Sequence, residues 1–246
     1  MLIKFILYFL LLSPRHLGVE ASLKEVYYQQ IDHRFPSTMD NCHLHTLPLN
    51  FHPQRYIKCA TFCLQNANCH LFCIKGDDCI LFSTWVTTEY VGTDQYYGFN
   101  SCHSSWFYSK NLATTAVVTM PSPYSANHAA NQATNGYYCY LYDSCSVTND
   151  INYPWWQADL QKAYVVSAVI VKPRDDYYSF INVEIRFGNS SVIGQNPLLG
   201  THPGTTPPPG TVLTFKPPIP MEGRYLTFQS PRYGGLSICE VQIVEA

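Results

Sequence analysis

The sequence predicts a mainly β protein built from two modules: a small α+β unit, with one helix on an antiparallel sheet, followed by a β-sandwich. Three observations carry this. Seven of the ten cysteines fall between Cys42 and Cys102, and three between Cys139 and Cys239. Cys59 and Cys63 sit four residues apart, the spacing that puts two thiols on one helix face. Further along, Ile181, Val183, Ile185 and Phe187 alternate with Asn182, Glu184 and Arg186, the period of a half-buried strand.

Each element follows from local chemistry. Lys4 precedes an uncharged apolar run from Phe5 to Leu12, then Ser13 and Pro14. This run is signal-peptide length and far short of the ~20 residues that cross a bilayer. Residues 1–21 are therefore expected to be removed, with Gly18, Ala21 and Ser22 as small residues for cleavage. A buried N-terminal strand or helix is the competing use of the same run. No later segment approaches bilayer length, so a secreted chain that does not span a membrane is expected. Disulfides suit that route, because thiols persist as disulfides only where the environment is oxidising. In a secreted chain, Asn189-Ser190-Ser191 becomes a glycosylation sequon at Asn189.

Pro53 opens the helix, which is expected to run to about Asn66. Cys79–Phe82 and Gln95–Phe99 read as short strands. A unit this small buries little apolar area and needs cross-links. In the second module Val165–Val171 is a continuous apolar run suited to a strand covered on both faces. Arg224–Phe228 and Ile238–Val244 read as further strands. Ahead of these two, 196–220 is rich in Pro, Gly and Thr and is expected to be a long surface loop without regular structure. Strands punctuated at intervals, without helices, suggest a sandwich.

Composition limits function. Charged residues make up 13% of the chain and the net charge is −2, so no basic stripe marks a nucleic-acid partner. No Gly-X-Ser-X-Gly elbow, His-Glu-X-X-His pair or phosphate loop occurs. Asp175 and Asp176 are neighbours, not carboxylates converging from separate elements, so glycosidase chemistry has no support. An enzyme is not expected.

In the first module, Cys59-Ala60-Thr61-Phe62-Cys63, then Cys69, Leu71-Phe72 and Cys79-Ile80-Leu81 resemble a PAN/apple domain over 37–105. Cys42 and Cys102 match that family's outer pair. The resemblance implies bridges Cys42–Cys102, Cys59–Cys79 and Cys63–Cys69, with Cys73 left over.

The second module, 111–246, resembles the F-type lectins (fucolectins), fucose-binding jelly rolls of the discoidin-like superfamily. Asn111-Leu112-Ala113, Ala133-Thr134-Asn135-Gly136, Ser144-Cys145-Ser146-Val147-Thr148, Pro154–Leu160, Gly223-Arg224-Tyr225 and Cys239-Glu240-Val241 occur in that family's order. The resemblance implies a β-sandwich jelly roll and a Cys145–Cys239 bridge. It leaves Cys139 over as well, so a Cys73–Cys139 bridge between modules is expected.

The family's sugar site resembles one His and two basic residues. Val147 stands where the His would be. Arg174-Asp175-Asp176 matches the Arg-X-Asp element, which makes Arg174 and Asp176 the candidate carbohydrate contacts. No basic residue follows within Tyr177–Glu184, so one of the three donors survives and the fucose motif is degenerate. The bland account of Arg174 and Asp176 is a solvated ion pair of little weight. Tyr177 and Tyr178 would either stack on a sugar or anchor the loop.

A structural calcium ion is also implied, held by Asn135, carbonyls of Gln132 and Tyr137, Ser144, Cys239 and Glu240. Calcium takes six to eight oxygens, and here Asn135 replaces a carboxylate with an amide. The metal-free alternative is a tight loop held by Asn and Ser hydrogen bonds. Adjacent strand residues point to opposite faces, so Trp155 and Trp156 cannot both line one pocket; the resemblance implies that this run, with Asp159, packs the sandwich.

Together these features predict a secreted lectin-like protein, calcium-dependent, that recognises extracellular glycans or glycoproteins; its oligomeric state is left open. The alternative is an adhesion or matrix protein that binds protein partners through both modules. A fold of this kind hosts many functions, so the site must decide.

Overall fold

The computed structural model describes residues 2–7, 24–31, 43–50, 53–66, 69–83, 98–104, 111–135, 144–174, 180–204, 207 and 211–246. The first module comprises β1 (Leu2–Leu7), β2 (Lys24–Ile31), β3 (His45–Pro48), α1 (Arg55–Gln65), β4 (Leu71–Lys75), β5 (Asp78–Phe82) and β6 (Ser101–Ser104). Its strands form one antiparallel sheet in the order β1-β2-β6-β4-β5-β3. The helix begins just after Pro53 and ends at Asn66, where the chain turns extended. Cys59, Ala60 and Cys63 form its buried face. Two bridges staple that face to the sheet, Cys59–Cys79 onto β5 and Cys63–Cys69 onto the chain entering β4. Gly76 takes φ +60 between β4 and β5, the positive angle that two-residue hairpin loops need at their first position. Phe72 centres the core, edge-on to Tyr28 and stacked on His103.

Two expected bridges are corrected. Cys102 pairs with Cys73, not with Cys42, and Cys73 is therefore not the partner of Cys139. The reason is register: β4 and β6 are neighbours, and Cys73 lies directly opposite Cys102 with Cα atoms 4.0 Å apart. Two cysteines that close need no backbone movement to bridge. All eight cysteines among the described residues are paired; Cys42 and Cys139 lie outside them.

The expected signal segment contributes β1, which pairs with β2. As the outermost strand, β1 can be removed without touching the β2-β6-β4-β5-β3 ladders.

The second module contains β7 (Val117–Thr119), β8 (Ser146–Val147), β9 (Ile151–Asn152), β10 (Trp155–Pro173), β11 (Glu184–Gly188), β12 (Leu198–Thr201), β13 (Leu213–Phe215), β14 (Met221–Gln229), β15 (Tyr233–Gly234) and β16 (Ser237–Glu245). Its architecture turns on β10. The first part of β10, Trp155–Asp159, lies between β14 and β7; its later part, Val166–Pro173, lies between β16 and β13. The register slips between Asp159 and Tyr164, where Gln161 takes φ +66 and donates its N–H to the Asp159 carboxylate. One 19-residue strand thus passes from one layer of the sandwich to the other. Between the layers sit Trp156, Val169, Val171, Ile185, Phe187, Leu226, Phe228, Val241 and Ile243. Trp156 is buried and Trp155 half-buried, as their opposite facing requires.

Two strand expectations need adjustment. The stretch 196–220 is not free of regular structure: β12 pairs with β11, and β13 pairs with β10. Short apolar pieces between the Pro and Gly blocks find open edges. Gly200 makes this possible, since a Cβ there would stand 2.7 Å from the Phe215 ring. The alternation beginning at Ile181 becomes strand only from Glu184, because Asn182 takes φ +54.

Candidate functional site

The candidate site is the end of the sandwich where β10 stops and β16 begins. Pro173, Ile238 and Ser146 form one row across β10, β16 and β8, and Ser237 lies opposite Val147. Arg174, just past the end of β10, is therefore about two strand spacings from Val147, roughly 10 Å. The Cys145–Cys239 bridge locks this end, tying the chain before β8 to the last strand.

Val147 does not face solvent. It is 6% exposed and packs on the Cys145–Cys239 disulfide, so no side-chain donor comes from that position. The aromatic beside it is Tyr124, whose N–H donates to the Val147 carbonyl and whose side chain is 60% exposed. Behind Tyr124, His128 is buried with Nδ1 3.1 Å from the Cys145 carbonyl. Arg174 is half-buried; Asp176, Tyr177 and Tyr178 lie outside the described residues. Tyr124 escaped sequence reasoning because its neighbour Val147 is distant in the chain, and the two segments are joined by tertiary pairing at the Pro123–Thr148 bridge and the hydrogen bonds beside it.

Of the expected calcium donors, Tyr137 lies outside the described residues. Gln132 and Asn135 belong to the tight turn around Ala130–Thr134, which packs on β16. Asn135 Nδ2 donates to Gln132 Oε1 at 2.7 Å, the internal hydrogen bond of a self-supporting loop. Ser144 is buried and Cys239 is in its disulfide. Glu240 is fully buried and lies directly opposite Lys172. Lys172 is itself fully buried; burial draws its pKa down to about 7, and the Glu240 charge opposes that fall. Among the described residues no cluster of three or more His, Cys, Asp or Glu gathers. The one carboxylate of that donor set thus lies opposite a lysine across a buried ladder.

Lys172 was not visible as special in the sequence, where it follows an apolar run like any residue at a strand end. Its Nζ donates to Ser83 Oγ of the first module, and no local pattern announces that contact.

Asp159 is structural, as expected. Its carboxylate takes two hydrogen bonds from Arg224, at 2.6 and 2.8 Å, across β10 and β14. Arg224 holds it below the usual carboxylate range. Asn189 is exposed immediately after β11.

Residues 128–228 match the NedA-like, galactose-binding domain of the F5/F8 type C class. The second module has a discoidin-like fold. This discoidin-like module is similar in sequence to Fucolectin-4 of Anguilla japonica, at 29% identity over 160 residues, 56% of this chain and 80% of that protein. Similarity to Fucolectin-5 of the same organism is 34% over 104 residues, 41% of this chain and 54% of that protein. In structure, the chain is similar to an F-lectin (fucolectin) from Morone saxatilis (striped bass) serum. The TM-score is 0.50 at 21% identity, covering 73% of this chain and 72% of that one. The fold of the discoidin-like module is thus the one that serum lectin has.

Proposed function

We propose that this chain is a secreted lectin-like recognition protein whose discoidin-like module takes extracellular glycans at the Arg174–Val147 end. The observation that carries the reading is the convergence of Arg174 and the Val147 segment on one disulfide-locked edge, with the exposed Tyr124 beside it. A guanidinium presents several fixed donors to sugar hydroxyls, and a Tyr ring offers an apolar face for the sugar's C–H groups. The donor set for fucose is reduced, because Val147 contributes no polar side-chain atom. The first module is read as a PAN/apple domain, on its helix, sheet and the Cys59–Cys79 and Cys63–Cys69 bridges. Residues 1–21 are read as a cleaved signal peptide and Asn189 as a glycan acceptor, the latter supported by its exposure.

The buried Val147 also favours a second reading, in which sugar binding is lost and both modules hold protein partners. A glycan array, run with and without chelator, separates the two. Arg174→Ala is expected to weaken glycan binding about tenfold or more, as loss of charge-assisted hydrogen bonds does. A flat array together with capture of a defined protein partner supports adhesion instead.

A further inference from the structure

Two segments of chain cross between the layers of the sandwich, and they lie against each other. At one end of the crossing Val147 is opposite Ser237, where β8 meets β16; at the other Trp155 is opposite Gln229, where β10 meets β14. Between these points β9 and β15 form a two-stranded ribbon of their own. Tyr153, just past β9, takes φ +54, in the left-handed region that a bulky side chain avoids. It also precedes Pro154, and a residue before proline favours extended backbone. The other positive-φ residues besides glycine, among those described, are Asn50, Asn182 and Gln161. Asparagine tolerates this region, and Gln161 sits at the register slip of β10.

The Tyr153 conformation is fixed from both sides. Its N–H donates to the Arg232 carbonyl, and the Ser230 N–H donates to the Pro154 carbonyl. Yet the ring so held is 59% exposed, and that of Tyr233, one rung away, is 67% exposed. Among the described residues neither ring meets another ring, and neither hydroxyl has a hydrogen-bond partner. Beside Tyr233 the surface is open, with nothing within 4 Å of a Cβ placed on Gly234. Backbone strain persists only where its surroundings impose it, and it gathers at ligand contacts. The exposed neighbours are Asp150, Asn152 and Arg232, and Asn152 lies directly opposite Tyr233, on the same face of the ribbon. A protein interface depletes charge at its centre. A sugar instead wants aromatic faces for its C–H groups and polar side chains for its hydroxyls. We propose that the β9–β15 ribbon is a second sugar subsite, in which Tyr153 and Tyr233 receive the C–H face of a neutral pyranose and Asn152 meets its hydroxyls. This subsite rests on the glycan reading of the module but draws on neither Arg174 nor Tyr124.

Tyr153→Gly separates a ligand contact from a packing residue, because glycine relieves the left-handed strain while removing the ring. In the full chain this variant is expected to hold Tm within about 2 °C of the unsubstituted protein, or to raise it. Its affinity for the best-bound neutral glycan of an array is expected to fall about fivefold or more, the scale of losing one aromatic contact. Tyr233→Ala, at a position of ordinary backbone, should lose as much. A Tm lowered beyond that range in Tyr153→Gly would show the ring packing the fold, and would overturn the proposal. So would a smaller loss of affinity in either variant; if Arg174→Ala still weakens binding, the lectin reading then stands without the second subsite. An array on which the unsubstituted chain binds nothing overturns both.

Discussion

Asn111 shows how one side chain can set the start of a module. It is 2% exposed, its Oδ1 accepts from the N–H groups of Ala113 and Ile243, and its Nδ2 donates to the Val241 carbonyl. The first turn of the module is thereby pinned to the last strand across 130 residues of chain. Asn111→Ala strands two buried N–H groups and a carbonyl, and is expected to cost about 2–4 kcal/mol. Chemical denaturation of the full chain measures this directly. The position was legible as part of the Asn111-Leu112-Ala113 motif, but its partners were not, because they come from the far end of the sequence. Lys172 was less legible still. A lysine ending an apolar run ordinarily meets water, and here a different module removes the water. Val147 was recognised as a departure from the lectin pattern, while its burial against the Cys145–Cys239 bridge comes only from the packing.

At the scale of elements, local periodicity served where the period was clean. The Cys59/Cys63 spacing located α1, and the Val183-Ile185-Phe187 alternation located the buried face of β11. It failed at β12 and β13, whose short apolar pieces among prolines become strands only because β11 and β10 offer edges. The bridge pattern failed for a similar reason. Cysteine order could not reveal that β4 and β6 are adjacent, and adjacency is what joins Cys73 to Cys102. Non-reducing peptide mapping is expected to recover a Cys73–Cys102 peptide and no Cys42–Cys102 peptide. This bridge closes a loop of 29 residues. Replacing both cysteines with serine should therefore lower stability by about 3.6 kcal/mol, the scale of losing a loop of that length from the denatured ensemble. Reduction of the same bridge would also loosen β6, which carries His103 into the first core.

For the whole molecule, pH offers a readout that separates the two modules. His70 and His103, both in the first module, have pKa values pulled from 6.5 to about 4, chiefly by burial and, for His70, also by the Lys172 charge. Both are neutral in the native state at pH 7. As pH falls from about 6.5 toward 4, the unfolded chain takes up protons at these rings and the native chain does not. Stability therefore depends on pH with more protons bound by the unfolded state, and it declines through that window. The carboxylate contribution lies lower: Arg224 holds Asp159 below its ordinary pKa, so its stabilisation is present above the unfolded carboxylate range and is lost only on further acidification. Thermal unfolding at intervals between pH 7 and 4 should show Tm already falling before the carboxylates titrate. A His70→Gln, His103→Phe double variant should flatten that part of the curve and leave the lower part intact, His103→Phe keeping an aromatic ring on Phe72. Because Lys172 and Ser83 join the modules through a buried contact, acid opening of the first module should lower the unfolding midpoint of the discoidin-like module as well. The tryptophan band of the near-ultraviolet circular dichroism, read in a Trp85→Phe, Trp106→Phe background so that the remaining tryptophans are Trp155 and Trp156 of the second module, is therefore expected to follow the same pH dependence as the first module's histidines. A tryptophan signal that held steady while the first module opened would show the two modules to be energetically separate.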